Sequence, residues 1–279
     1  MNKLIYLWFA VKTVFCTCEP DHRINDFKKV RSHYKIKKIG KLPTVANESS
    51  GLARGSNEDS FWTHNDSGGK PELYEFDLTG KLISTKPIPG AKNTDWEDLT
   101  QDQAGNVYIG DFGNNAAPRS SFDIYKWSID QPAAEKITFT YSQQKNKAGS
   151  PKLPVSDCES FFYHQNNLFL FSKNWGKDKS VKLYQLPVES GNYVLTPVDS
   201  ININTQVTSA DISPDGKTFA LLTYGKILLF GVENNMINFK KPLGCFRLVK
   251  AQNEALIFLN NTDMLITNEQ GAVYRITYQ

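Results

Sequence analysis

From Tyr34 onward the chain alternates short apolar runs with polar turns: SFWTHN, NVYIGD, SFDIYKWSI, KITFTY, NLFLFSK, VKLYQL, TFALLTY, KILLFGV, ALIFL, DMLITN and AVYRITY. These runs are rich in Val, Ile, Phe, Tyr and Thr and are bounded by Gly, Asn, Asp and Pro, the signature of strands separated by tight turns. No long stretch carries apolar residues at helical spacing. Many short strands with regular turns predict a barrel, a sandwich or a propeller.

A repeat decides among these. Five segments share an entry, ESSGLA, WEDLT, CESFF, SADIS and NEALI, followed by a turn and two or three more apolar strands. Aligning Leu52, Leu99, Phe161, Ile212 and Leu256 gives intervals of 47, 62, 51 and 44 residues. That is the size of a four-stranded propeller blade, the longest interval containing the loop QQKNKAGSPKLPV. The last repeat supplies three strands, and YKIKKIGKL (Tyr34 to Leu42) lacks a blade of its own. The expectation is an all-β, five-bladed β-propeller over 34–279, with the N-terminal strand completing the last blade and removing an open edge. A six-bladed ring with an irregular blade in 118–156 is the alternative.

The N-terminus changes the picture of where the protein works. MNKLIYLWFAVKTVFCTCEPD has a basic start and an apolar run too short to span a bilayer but of the length of a secretory core. Residues 1–18 are read as a signal or lipoprotein signal, with Cys18 as the lipidation site, and 19–33 as a linker. The expected location is secreted, periplasmic or lipid-anchored at the cell envelope, with a cytoplasmic protein carrying an irregular tail as the alternative. Membrane attachment is expected through lipid only. Four cysteines do not define a disulfide framework in 279 residues. Cys158 and Cys245 are left either to pair or, for Cys158, to serve as a small buried apolar residue. Lys plus Arg number 32 against 29 acids, so no basic stripe is available for a nucleic acid. A monomer is expected.

Candidate chemistry gathers where the entry loops and the loops between second and third strands share one face of a propeller. Entry loops contribute Glu48, Asp95, Glu97, Asp157, Glu159, Ser209 and Glu254. The other loops contribute Asn65, Asp66, Asp111, Asn114, Asn115, Asn174, Trp175, Tyr224 and Glu269. Strict alternation along the second repeat puts Asp95, Glu97 and Leu99 on one side and Trp96 and Asp98 on the other. Crowded carboxylates raise one another's pKa unless a cation compensates them. The donors are oxygens, which suits Ca2+, with Mg2+ as the alternative. Asp66, Glu97, Asp111 and Glu159 are the expected metal ligands. Glu97, Glu159 and His64 are the candidate catalytic groups, either as a carboxylate pair on a glycosidic bond or around a metal-activated water. Asn65, Arg119, Asn174, Trp175 and Tyr224 are the candidate ligand-binding residues, the aromatic pair being the test for a carbohydrate-like ligand.

WTHNDSGG, LYEFDLTGKL, DWEDLT, YIGDFGNN with the following Arg119, and LFLFSKNW together resemble a lineage of bacterial secreted propellers related to the phytase-like and gluconolactonase-like groups. The resemblance covers roughly 60–190. It implies an exported, calcium-associated propeller with a hydrolytic activity, although fold and lineage do not fix a reaction. The chain departs from gluconolactonase-like enzymes in its blade count, five against their usual six, and its sequence alone does not place their complete three-ligand metal set. Two functions follow: an acidic mouth that binds a cation and a small or carbohydrate-like molecule, with hydrolysis as an extension, or a non-catalytic protein-binding or cell-surface scaffold.

Overall fold

Each apolar run pairs antiparallel with its sequence neighbour, because turns built on left-handed residues such as Gly105, Gln165, Asn166 and Gly216 reverse the chain within a few positions. The structure is a computed structural model that describes residues 16–114, 119–142, 157–174, 179–248 and 251–279. The strands form five sheets, arranged as the five blades of a propeller.

Blade one runs from the axis outward as Ala53–Arg54, Ser60–Thr63, Glu72–Asp77 and Leu82–Pro87. Blade two is Trp96–Gln101, Val107–Asp111, Phe122–Trp127 and Glu135–Tyr141; blade three is Cys158–His164, Asn167–Ser172, Ser180–Pro187 and Asp199–Asn202. Blade four is Val207–Ile212, Thr218–Thr223, Lys226–Gly231 and Pro242–Arg247. Blade five is Asn253–Phe258, Met264–Asn268 and Ala272–Tyr278, and Tyr34–Lys41 completes it from the other end of the chain, pairing Tyr34 with Tyr278 and Lys41 with Ala272. The expected closure of the ring by the N-terminal strand is therefore the one observed.

Burial falls from the axis outward. Innermost strands such as Asn253–Phe258 are buried throughout, whereas Leu82–Pro87 at the rim is mostly exposed. The core is divided among the blade interfaces. Trp62, Trp96, Leu99 and Ile109 pack between blades one and two, Tyr108, Phe112, Phe161 and Tyr184 between two and three, and Phe171, Phe219, Leu228 and Phe230 between three and four. Ala220, Phe246, Leu256 and Ile266 fill the next interface, and Leu52, Phe61, Phe76 and Leu265 close the circle.

Residues 19–33 are not a linker. Glu19–Asn25 forms a helix, Lys28–Lys29 adds a parallel strand to the rim of blade four, and Phe27 is fully buried edge-on against Phe230 at 5.1 Å. Asp21 and Lys226, both buried, form an ion pair beneath the helix. Cys18 is disulfide-bonded to Cys245, with the Cα atoms 5.7 Å apart. This replaces two expectations: a thiol in a disulfide cannot carry a lipid thioether, and the partner of Cys245 is Cys18 and not Cys158. Cys158 is fully buried in the interface between blades two and three, the small apolar residue considered from the sequence. The expected signal lies largely in residues outside the described ones. Among the described residues no helix is long and apolar enough to cross a membrane.

Candidate functional site

The innermost strands do not alternate strictly. In four blades the register against the second strand slips by one residue, between Trp96 and Asp98, Cys158 and Ser160, Val207 and Ser209, and Asn253 and Ala255. In blade one the Ser49–Asn65 bridge and the Ala53–Trp62 pair are offset by the same single residue. A bulge leaves one extra residue unpaired and re-aims its side chain. The residues so placed are Ser50, Glu97, Glu159, Thr208 and Glu254. They also correct the repeat: Ala210, not Ile212, is the blade-four counterpart of Leu99. Because of the bulge Leu99 joins Trp96 in the interface with blade one, and the expected grouping of Leu99 with Asp95 and Glu97 fails.

Two of the five bulge residues are hydroxyls that staple blades together. Ser50 Oγ donates to Glu97 O at 2.7 Å, and Thr208 Oγ1 donates to Asn253 O at 2.8 Å. The other three are carboxylic acids, all at least nine-tenths buried: Glu97, Glu159 and Glu254. The Glu97 and Glu159 carboxyls lie near enough to perturb each other's protonation, and Lys173 Nζ pairs with Glu159 Oε1 at 2.8 Å. Burial and then the Glu269 charge hold Glu254 well above the carboxylate range, and Gln252 Nε2 donates to Glu269 Oε1 at 2.8 Å. Burial, then repulsion from Glu159 and Asp66, holds Glu97 well above the carboxylate range. Burial pushes Glu159 up to about 8 against the pull of Lys173, and pushes Glu269 up to about 7 with help from Asp66. The Lys173 ammonium is held well above its ordinary value: burial opposes this, but Glu159, Tyr224, Glu97 and Glu254 outweigh it.

One cluster within this mouth has the geometry of a cation site. Carboxylate oxygens of Asp66, Asp95 and Glu97 lie within 4.8 Å of one another. Glu97 is only 4% exposed, yet its Oε1 has no hydrogen-bond partner among the described residues. A buried carboxylate oxygen without a donor is costly to maintain. Burial raises the Asp66 pKa, and burial followed by Asp66 and Asp157 pushes Asp95 up to about 6. The approach of these acids depends on Gly113: a Cβ there would stand 2.0 Å from Glu97 Oε1 and 2.5 Å from Asp95 Oδ2. Only glycine admits them.

The remaining expected residues support the mouth or lie apart from it. Asp111 Oδ1 accepts from the Asp95 N–H at 2.8 Å and from Arg119 Nη1 at 3.1 Å, while Arg119 also donates to Gly113 O and Asp111 O. Arg119 thus braces the glycine loop, and Asp111 orients Asp95 instead of joining the cluster. Asp157 Oδ1 accepts from the Asn114 N–H at 2.8 Å. Asn65 spans Val45 O and the Glu48 N–H, and Asn174 Nδ2 donates to Ile203 O at 2.8 Å, so both tie loops to strands. His64 is fully buried edge-on against Trp96 at 5.5 Å, with Nδ1 on Asn65 O and burial depressing its pKa to about 4. It packs; the catalytic role expected of it has no access. Tyr224 is 7% exposed with its ring 5.9 Å from Lys173 Nζ, which removes it as a sugar platform. Trp175 lies outside the described residues.

The sequence places Asp95 at the mouth but not among the expected metal ligands, and Lys173 is not among the expected residues at all. Asp95 carries a signal in hindsight, two positions before the bulge residue; Lys173 carries a weaker one, since it follows NLFLFS where Phe112 follows VYIGD and nothing local marks it as buried.

Residues 27–150 match a family model described as SdiA-regulated, a stretch that contains Asp66, Asp95, Glu97, Gly113 and Arg119. No curated protein matches. Among solved structures, the chain is similar to the extracellular domain of a protein described as a hybrid two-component system from B. thetaiotaomicron, at 11% identity and a TM-score of 0.39, over 81% of this chain and 27% of the other. The chain therefore spans about a quarter of that structure's length.

Proposed function

We propose that the protein is a divalent-cation-binding propeller that holds Ca2+ at the acidic mouth through Asp66, Asp95 and Glu97. The observation that carries this reading is the buried, partnerless Glu97 Oε1 within 4.8 Å of the Asp66 and Asp95 oxygens. An all-oxygen donor set favours a hard cation, and three carboxylates leave Ca2+ with coordination positions for waters or an oxygen-bearing small molecule. Mg2+ demands a tighter octahedron and is expected to bind more weakly. A water on the ion would be the nucleophile in any hydrolysis the mouth performs, in keeping with the phytase-like and gluconolactonase-like resemblance. Glu159 and Lys173 then act as a charge-balanced wall that fixes the Glu97 carboxyl. A location outside the reducing cytoplasm is supported by the Cys18–Cys245 disulfide, since such bonds persist in oxidising compartments.

The test is a calorimetric titration of chelator-stripped protein with CaCl2 and with MgCl2. One Ca2+ per chain is expected, with affinity reduced at least about tenfold in Glu97→Gln, which removes one charged ligand from a low-dielectric site. Absence of a saturable Ca2+ isotherm in the folded wild-type protein sinks the reading.

A further inference from the structure

Polar contacts cross the ring between its innermost strands. Asp98, fully buried on the innermost strand of blade two, accepts from the Phe161 N–H of blade three at 3.3 Å and from the Ala210 N–H and Ser209 Oγ of blade four at 3.3 and 3.2 Å. Ser209 Oγ in turn accepts from the Leu256 N–H of blade five at 3.1 Å. Beyond this junction, at the ends of the innermost strands opposite the mouth, lies a cavity of about 730 Å³ to which all five blades contribute. Its size is that of a small-molecule site. It shares no lining residue with the acidic mouth.

The polar groups of this chamber are only partly used. Arg54 donates through Nη2 to Phe258 O and Leu259 O at 2.8 and 2.6 Å, while its Nε and Nη1 have no partner among the described residues. His164 Nε2 is a buried atom with no partner among the described residues, and burial lowers the ring's pKa, so the imidazole is neutral at pH 7. Gln101 uses only its amide nitrogen, toward Gly105 O at 3.3 Å. Asp211 Oδ2 accepts from the Phe258 N–H at 2.7 Å, and its charge is close enough to Arg54 for the two to attract. The neighbouring Asp102 and Asp215 are occupied by their own hairpin N–H groups. Tyr163, stacked on Tyr108 at 6.0 Å between ring centres, lines the same wall.

Arg54 is the one cation of the lining and faces the carboxyls of Asp102, Asp211 and Asp215, so the chamber gives an anion no net attraction, while the hairpin donors on Asp102 and Asp215 and the Phe258 N–H on Asp211 already occupy those acids. The chamber offers donors at Arg54 and an acceptor at Gln101, with His164 Nε2 able to take either role according to its tautomer, beside an aromatic ring. Hydroxyl groups, which donate and accept at once, satisfy such a mixture. We infer that this second chamber is a binding site for an uncharged, hydroxyl-rich small molecule of monosaccharide size, independent of the cation at the mouth.

The experiment is ligand-observed NMR titration of the full chain with glucose, galactose, mannose, N-acetylglucosamine and sorbitol, in the presence of chelator. At least one of these is expected to bind saturably, with the same affinity in Glu97→Gln and with affinity lowered about tenfold in His164→Ala and in Gln101→Ala, the loss of one or two hydrogen bonds. Circular dichroism of each variant establishes that it is folded, and Gln101, which is half-buried with a single hydrogen bond, provides a substitution that leaves the blade intact. The inference is overturned if none of the five binds the wild-type protein, if binding is unchanged in both chamber variants, or if Glu97→Gln abolishes it.

Discussion

The mouth is controlled by single atoms. Glu97 is placed by a bulge and by the space left by Gly113, and each can be changed separately. Gly113→Ala places a methyl where the Glu97 and Asp95 oxygens now stand. Its expected effect is loss of Ca2+ binding by at least about tenfold with a folded ring, measured by titration calorimetry alongside circular dichroism. Protonation gives a second test. Asp95 is pushed up to about 6 and Glu269 to about 7 in the folded protein, both above the ordinary carboxylate value. A raised folded pKa means that the folded state binds more protons than the unfolded one between those values, so stability is full below the unfolded pKa and falls as pH rises through the folded one. The metal-free melting temperature is therefore expected to fall between pH 5 and pH 8. Ca2+ competes with these protons, so the increment in melting temperature on adding it is expected to grow over the same range. A melting temperature flat in pH and indifferent to Ca2+ would contradict both.

At the scale of strands and blades, polar side chains do work that a purely apolar core could not, because each innermost strand must satisfy N–H groups facing the axis. Asp98 and Thr100 of blade two accept from the Phe161 and Tyr163 N–H groups of blade three, and Ser209 and Asp211 of blade four accept from Leu256 and Phe258 of blade five at corresponding positions. Asp98→Ala leaves several buried donors unmatched, at an expected cost of about 3 kcal/mol in urea unfolding. The strap at the N-terminus is a second such element. Cys245→Ser releases Cys18 from blade four and is expected to cost about 2 to 4 kcal/mol under non-reducing conditions, with little change in the wild-type protein once it is reduced beyond that level. The blades were legible in the chain because strand and turn signals repeat at blade spacing, and the pairing of Tyr34–Lys41 with the last strand followed from a count of strands. The bulges were not. A one-residue slip leaves no mark in the apolar pattern, so strict alternation put Leu99 with Glu97 and the repeat was set two residues late in blade four. The strap was hidden for another reason: its helix is seven residues long and is held by Phe27, Asp21 and a disulfide, contacts that link positions about 200 apart.

For the whole molecule, the ring joins its two chain ends in blade five, and a fully closed sheet circle is what protects the interfaces on either side. Removal of residues 1–41 deletes the outer strand of that blade together with the strap, and is expected to leave an aggregating chain without a cooperative thermal transition, in contrast to the full chain. The same closure sets up two chambers. The mouth concentrates Asp66, Asp95, Glu97, Glu159, Glu254 and Glu269 against Lys173 and Arg119, an imbalance that raises the pKa values of these acids and that the proposed divalent ion would relieve. The acids of the mouth were visible in the sequence as a recurring Asp-X-Glu at the head of blades two and three; their division into a lysine-paired glutamate, a braced aspartate and an open trio required the fold. The most direct measurement is a crystal structure of the chain grown with Ca2+ and, in parallel, with Mn2+ for anomalous scattering. The account predicts a peak between the Asp66, Asp95 and Glu97 carboxylates at oxygen-ligand distances of about 2.3 to 2.6 Å for Ca2+. A well-ordered mouth with no ion there, and Glu97 Oε1 satisfied instead by water or a protein donor, would contradict it.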